Sequence, residues 1–230
     1  MNENLKPDES IEFMLDGSTV AARPGETIWQ VAKRHGNELP HLCFKDAPGY
    51  RADGNCRACM VEIEGEGALA AACIRNPTPG MVVTGGSGRA LQARKNVIDL
   101  LIADQPDREH GPDRNSRLWR WADELGVSGS RYPARAGIEH DASHPAMCVR
   151  LDACIQCNLC LRACREVQVN DVIGMAYRGH ASRIVFDFDD PMGASTCVGF
   201  GECVQACPTG ALMEKSLVDD KGEDKRIPVT

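Results

Sequence analysis

The sequence predicts an α+β fold in two parts joined by a helical connector, and three observations support this. Strand and helix patterns near the N-terminus follow each other as they do when one helix packs across one sheet. Twelve cysteines fall into two groups, with none between Cys73 and Cys148. Two helical patterns occupy the stretch between these groups. Cysteines in short-gap groups indicate metal chemistry in a reducing compartment rather than a secreted disulfide scaffold.

The N-terminal part reads as a sheet with one helix. The strand patterns are Ile11–Leu15, Ser18–Ala22, Ala58–Glu64 and Ala68–Cys73. Asp16-Gly17 predicts a tight hairpin between the first two strands, because these residues adopt the positive φ angles of a type I′ turn. Thr27 predicts the N-cap of an amphipathic helix that Gly36 ends. Together these elements predict a β-grasp sheet with the helix packed across it.

The first cysteine group lies in this sheet region and comprises Cys43, Cys56, Cys59 and Cys73. Its spacing, C-x12-C-x2-C-x13-C, is similar to the plant-type 2Fe–2S arrangement, although the first gap is longer. We expect Gly54, Arg57 and Ala58 to contact the cofactor, and at Gly54 the missing Cβ lets backbone N–H groups approach the sulfides. A four-cysteine zinc site is the alternative.

The second cysteine group has the spacing of bacterial two-cluster ferredoxins. Its first run is C-x2-C-x2-C-x3-C and its second is C-x5-C-x3-C-P. In such ferredoxins the last cysteine of each run ligates the other cluster. The complete 4Fe–4S site is therefore expected to comprise Cys154, Cys157, Cys160 and Cys207. This part is predicted to be a bacterial two-cluster ferredoxin-like domain.

The other predicted site of this domain lacks one ligand. Its cysteines are Cys164, Cys197 and Cys203. Phe200 stands where a fourth cysteine is expected, and a phenyl ring cannot ligate iron. Three outcomes stay open: a 3Fe–4S cluster, a 4Fe–4S cluster with a borrowed ligand, or no cluster. Cys148 is the candidate donor, although a small buried hydrophobe is the preferred interpretation of this residue.

The remaining segments give the domain boundaries. Arg89–Asp104 predicts a helix, with its apolar residues at Ala90, Ala93, Val97, Leu100 and Leu101. Ser116–Leu125 predicts a second helix, Gly126–His144 a linker and Ile184–Phe188 a short strand. The predicted divisions are a 2Fe–2S domain at 9–86, a helical connector at 87–143, a 4Fe–4S ferredoxin-like domain at 144–215 and a charged tail at 216–230.

Composition and missing motifs narrow the classes of function. The net charge is −7 without a basic patch, so nucleic acid is not expected as a partner. We see no export signal and no apolar run of membrane-spanning length, and therefore expect a cytoplasmic protein. The sequence contains no Ser/His/Asp set, phosphate loop or dinucleotide fingerprint. We therefore expect no catalytic residue in this chain, and flavin and NAD on a partner.

The motifs resemble the iron–sulfur N-terminal region of the alpha subunit of soluble NAD-dependent formate dehydrogenases. Related modules are the large iron–sulfur subunit of respiratory complex I and the small diaphorase subunit of NAD-linked hydrogenases. The matching segments are Gly54–Ile63, Ala153–Asp171 and Cys203–Leu212, within a resemblance over residues 10–215.

This resemblance implies an iron–sulfur electron-transfer subunit. It would pass electrons between a molybdenum or tungsten pterin formate site and a flavin/NAD diaphorase subunit, both supplied by partner domains or subunits. The alternatives are the diaphorase subunit of a hydrogenase, and a redox sensor or assembly factor whose incomplete cluster is labile.

Two departures from these families stand out. They usually carry an H-x3-C-x2-C-x5-C cluster site between the two domains. Here no cysteine follows His110 before Cys148, so that cluster is expected to be absent and His110 to be an ordinary loop residue. The formate dehydrogenases also continue into a pterin domain that these 230 residues do not contain, so we expect the chain to be either a fragment or a separate electron-transfer subunit.

The iron–sulfur subunit of succinate dehydrogenase and fumarate reductase is a further resemblance, since its second motif is also C-x5-C-x3-C-P and binds 3Fe–4S. Arg165, where that family has proline, and the twelve-residue gap after Cys43 argue against membership.

Overall fold

The computed structural model describes residues 10–134, 140–218 and 225. The chain divides into two compact units. The first comprises the described residues up to Asp46 together with Ala52–Val97. The second comprises Ala47–Arg51 together with the described residues from Ile98 onward. The second unit therefore takes five residues from the sequence between Cys43 and Cys56.

The first unit is a five-stranded mixed sheet with one helix, α1, at Ile28–Arg34. The strands are β1 Ile11–Leu15, β2 Ser18–Ala22, β3 Met60–Ile63, β4 Ala70–Ala71 and β5 Val82–Thr84, in the spatial order β2-β1-β5-β3-β4. Strands β1 and β2 are antiparallel, and Asp16 and Gly17 between them have φ angles of 47° and 81°. The predicted hairpin and β-grasp topology are confirmed.

Helix α1 begins and ends where its sequence signals predict. Gln30 N donates to Thr27 Oγ1 at 3.3 Å and Thr27 N donates to Gln30 Oε1 at 3.0 Å, which forms a capping box. The buried face of the helix includes Trp29, whose Nε1 donates to the Leu39 carbonyl at 2.9 Å. Gly36, with a φ of 79°, follows the end of the helix.

Strand β5 is an element that the sequence patterns do not predict, because they end the sheet at Thr78–Met81. It pairs in parallel with β1, with Met14 opposite Val82, and antiparallel with β3, with Ile63 opposite Val83. The strand has three residues, which is too short for a period-two pattern to be visible. The missed element is therefore the central strand of the sheet.

Helix α2, Gly88–Ala103, confirms the predicted helix but buries a different face. The predicted apolar positions include Leu100, which is exposed. Ala90, one of the predicted positions, is buried, and at four-residue spacing from it Arg94, Ile98 and Ile102 are buried too. The predicted buried face differs from the observed one because the helical pattern assigns a charged residue such as Arg94 to the solvent-facing side.

The second unit begins within α2 and continues into α3, Arg117–Leu125. Trp119 N donates to Ser116 Oγ at 3.4 Å, and Gly126, with a φ of 68°, ends the helix. Trp119 and Trp121 are buried. His110 lies in a single turn at Arg108–His110.

The rest of the second unit consists of two strand pairs and two short helices. The elements are β6 Met147–Val149, α4 Leu159–Arg162, β7 Ile173–Ala176, β8 Arg183–Phe186, α5 Glu202–Ala206 and β9 Leu212–Glu214. Strand β6 pairs antiparallel with β9, and β7 with β8. The predicted strand at Ile184–Phe188 is β8, which ends two residues earlier.

In the segment predicted as a charged tail, Val218 is buried, whereas residues 219–224 and 226–230 lie outside the described residues. So do residues 135–139 of the predicted linker.

Candidate metal centres

The four cysteines of the first group come together in the first unit. Cys59 immediately precedes β3 and Cys73 follows β4, while Cys43 and Cys56 lie on the loops before β3. The Cys43 sulfur accepts hydrogen bonds from the thiols of Cys56 and Cys73, which lower the pKa of Cys43. The same contacts raise the pKa values of Cys56 and Cys73. A hydrogen bond from the Cys73 thiol lowers the pKa of Cys59.

Backbone N–H groups point at the sulfurs of this group. Cys56 N donates to Cys43 Sγ at 3.4 Å, and Ala58 N donates to Cys56 Sγ at 3.5 Å. The loop reaches this geometry with left-handed backbone at Gly54 and Arg57, whose φ angles are 64° and 59°. At Gly54 a Cβ would also lie 2.8 Å from Ile74 Cδ1. Four clustered thiols, with N–H donors on the sulfurs of Cys43 and Cys56, fit the ligand chemistry of a 2Fe–2S cluster.

The second unit brings together Cys154, Cys157, Cys160 and Cys207. Burial, and then the negative charges of Cys157, Cys154 and Cys207, raise the pKa of Cys160. Gln156 N donates to Cys154 Sγ at 3.4 Å within the tight turn that precedes α4. Helix α4 then carries the chain away from this set, so Cys164 lies on the following turn. Crossed ligation predicts these four residues as one set, and the charge of Cys203 from the other predicted set also raises the pKa of Cys160.

Cys164, Cys197 and Cys203 form a separate set in the same unit. Burial, followed by the negative charges of Cys197 and Cys164, raises the pKa of Cys203 to about 12. The three cysteines line one cavity of about 20 Å³ together with Phe200. Val172 N donates to Cys164 Sγ at 3.4 Å. The Phe200 side chain is 64% exposed, so it borders the cavity without being packed into the core.

Cys148 does not line this cavity. It is fully buried on β6 in an apolar cluster with Met213 and Val218. Burial raises the pKa of its thiol. Because neighbouring residues of a strand point to opposite faces, Met147 lines the cavity and Cys148 points away from it. The geometry agrees with a structural thiol.

Two buried arginines beside the cysteine groups are absent from the sequence-based predictions. Arg162 Nη2 donates to the Cys157 carbonyl at 3.2 Å. Arg94 Nε donates at 2.8 Å to the carbonyl of Met60, the residue after Cys59. The sequence does indicate that Arg94 faces the core, because Arg94 lies at helical spacing in line with the apolar residues Ala90, Ile98 and Ile102.

Within the described ranges, no histidine, cysteine, aspartate or glutamate side chains form a group of three placed to hold a single metal ion. In the same part of the chain, no helix has the length and apolar character needed to cross a membrane.

Comparison with known families identifies the two cysteine regions. Residues 8–88 match the 2Fe-2S iron-sulfur cluster binding domain, and residues 153–211 match the 4Fe-4S dicluster domain. The chain is an iron–sulfur protein with two cluster-binding domains. The predicted fold class and the two cluster types are confirmed.

The iron–sulfur chain is homologous to curated proteins of three kinds. It is 31% identical to the NADP-reducing hydrogenase subunit HndD of Solidesulfovibrio fructosivorans, over 90% of this chain and 37% of that protein. It is also 31% identical to an NADH-quinone oxidoreductase subunit of Rhizobium meliloti, over 88% of this chain and 24% of that protein. Identity to the "Putative formate dehydrogenase YrhE" of Bacillus subtilis is 29%, over 93% of this chain and 22% of that protein. The chain thus spans less than two-fifths of the length of these relatives.

A solved structure shares the fold. A chain of the NAD+-reducing [NiFe]-hydrogenase in the H2-reduced state aligns with a TM-score of 0.82 and 27% identity. The alignment covers 90% of this chain and 88% of that chain. Hydrogenase-related and formate dehydrogenase-related proteins are therefore both similar to this iron–sulfur protein.

Proposed function

We propose that this chain is an electron-transfer module of an NAD-linked oxidoreductase complex. One observation carries the proposal: cysteines cluster in both units, within segments that match 2Fe–2S and 4Fe–4S domain families. Iron–sulfur clusters supply one-electron chemistry when bound, and the protein sets their potentials by hydrogen bonds to sulfur and by burial. The chain would therefore conduct electrons without transforming a metabolite itself.

Each set has a proposed role. The 2Fe–2S ligands are Cys43, Cys56, Cys59 and Cys73, and the 4Fe–4S ligands are Cys154, Cys157, Cys160 and Cys207. Gly54, Arg57 and Ala58 shape the loop that presents N–H donors to the first cluster. Cys164, Cys197 and Cys203 hold a further cluster, either 3Fe–4S or a 4Fe–4S cluster with an exogenous fourth ligand. Cys148 is not proposed as that ligand because it packs in an apolar cluster.

Formate is the proposed electron donor, on the basis of the resemblance to formate dehydrogenases and the similarity to YrhE. The proposed partners are a molybdenum or tungsten pterin catalytic domain or subunit and a flavin/NAD diaphorase subunit, in the cytoplasm. Hydrogen is the second candidate, because HndD and the aligned solved structure belong to hydrogenases.

The two donors are distinguished by substrate reduction of the native complex. The tagged chain is purified anaerobically with its partners, and its cluster EPR signals are recorded after formate, H2 or NADH is added. Formate-driven reduction supports the first candidate and H2-driven reduction the second, with NADH reducing the clusters in either case. If none of the three reduces any cluster, or if the clusters decay at each redox cycle as in a labile sensor, the proposal is wrong.

A further inference from the structure

Arg94 is a buried cation within the first unit. Only 4% of this α2 residue is exposed, and its Nε donates to the Met60 carbonyl at 2.8 Å. Its Nη2 is buried and has no hydrogen-bond partner within the described residues. An arginine keeps its positive charge at any physiological pH, and burying a charge with an unsatisfied donor is costly. A compensating negative charge is therefore expected nearby.

The anions that act on Arg94 in the described part of the chain are the Cys59 thiolate and, with a smaller effect, the Asp16 carboxylate. Asp16 already accepts hydrogen bonds from Gly85 N, at 2.7 Å, and from Asn37 Nδ2. Burial lowers the pKa of Arg94, whereas the charge of Cys59 raises it. Arg94 thus contacts the residue next to Cys59, and the negative charge of Cys59 acts on its guanidinium more strongly than that of Asp16.

We propose that Arg94 is the counter-charge of the 2Fe–2S site and raises its reduction potential. The inference rests on the proposed ligation by Cys43, Cys56, Cys59 and Cys73. A four-thiolate 2Fe–2S centre is a dianion in the oxidised form, and reduction by one electron adds one further negative charge. A fixed cation in a low-dielectric site stabilises the reduced form more than the oxidised form. Arg94 is therefore a residue that acts on the cluster through its charge.

The same helix offers a matched control. Arg89 is exposed on α2, donates to the Gly67 carbonyl and lies 3.6 Å from the Glu62 carboxylate. It has the same charge as Arg94, but in water this charge is screened. Replacing Arg89 tests whether the loss of an exposed positive charge on this helix is enough to change the reduction potential of the 2Fe–2S site.

The experiment is a redox titration of the full-length, anaerobically purified protein, monitored by the 2Fe–2S EPR signal. The variants are Arg94→Lys, Arg94→Gln, Arg94→Met and Arg89→Gln. We expect Arg94→Gln and Arg94→Met to lower the midpoint potential by the equivalent of about a tenfold change in the reduction equilibrium, about 59 mV for one electron. Arg94→Lys retains the charge and should restore most of the potential. Arg89→Gln should leave it unchanged, and the Arg94 effect should persist in high salt.

The outcomes separate the two proposals. If the wild-type protein gives no 2Fe–2S signal, the ligation and the role of Arg94 are both wrong. If the signal is present but Arg94→Gln has the wild-type potential, only the counter-charge is wrong. The same conclusion follows if Arg94→Lys lowers the midpoint potential as much as Arg94→Gln does. The guanidinium would then act through its geometry and not through its charge. If Arg94→Met fails to fold, the comparison of Arg94→Lys with Arg94→Gln still tests the counter-charge, because both side chains retain a hydrogen-bond donor for the Met60 carbonyl.

Discussion

The Tyr50 hydroxyl donates a hydrogen bond of 2.7 Å to the Glu202 carboxylate, although 152 residues separate the two in sequence. Tyr50 belongs to the Ala47–Arg51 segment, which packs in the second unit. In that segment Arg51 pairs with Glu166 at 3.0 Å. The unusually long gap after Cys43 thus contains residues with a structural role in the other unit. Glu202 lines the cavity of the incomplete cysteine set, so this hydrogen bond also supports that site.

Replacing Tyr50 with phenylalanine should destabilise the second unit. The hydroxyl donates to a charged acceptor, and losing such a bond costs about 1.5 kcal/mol of unfolding free energy. Denaturant unfolding followed by the visible absorbance of the bound clusters measures this loss. Tyr132→Phe is the control, because Tyr132 is exposed and its hydroxyl accepts a hydrogen bond from the adjacent Arg131 side chain. Equal stability of both variants would contradict the structural role of Tyr50.

The Cys59→Ser variant should lose the 2Fe–2S absorption and EPR signal and keep the 4Fe–4S signal. The reason is that the two complete thiol sets lie in different compact units. Iron content and EPR of the anaerobically purified variant check this result. Loss of every cluster would show that the units do not fold independently.

The Phe200→Cys variant should convert the incomplete site toward 4Fe–4S, because position 200 borders the cavity with Cys164, Cys197 and Cys203. The oxidised-state EPR signal should change accordingly. Cys148→Ala is the matched control and should leave the wild-type signal intact, since Cys148 lies in an apolar cluster. Identical oxidised-state spectra of Phe200→Cys and wild type would contradict a 3Fe–4S cluster at this site.

Acid should destabilise the second unit through Asp141. Burial disfavours the charged form, but hydrogen bonds from Met192 N, at 2.6 Å, and Ser143 N, at 2.9 Å, outweigh it and hold the pKa of Asp141 below its usual range. A lowered folded-state pKa gives stability that is present above the unfolded pKa, about 3.9, and is lost as the pH falls through the folded value.

The Asp141→Asn variant tests this sign. It should be less stable than wild type at pH 7, and the difference should shrink as the pH falls below about 4. Cluster loss in acid affects both proteins, so the difference between them is the quantity to measure. A difference that stays constant with pH would contradict the role of the carboxylate.

Local chemistry makes much of the fold predictable. The Asp16-Gly17 turn and the Thr27 cap depend on neighbouring residues, and the ferredoxin spacing encodes how the chain turns around one cluster. Strand β5 could not be predicted, because three residues carry no visible period and their place is fixed by pairing with β1. Arg94 escapes prediction because helix patterns treat arginine as a surface residue, whereas here it is buried and its Nε donates to the Met60 carbonyl.

The most direct test of the account is iron and acid-labile sulfide analysis combined with a redox titration of the anaerobically purified full-length protein. We predict a brown protein that contains both elements and has separate, reversibly reducible 2Fe–2S and 4Fe–4S signals. A colourless protein that lacks sulfide and contains zinc or no metal, even when prepared without air, would contradict the account.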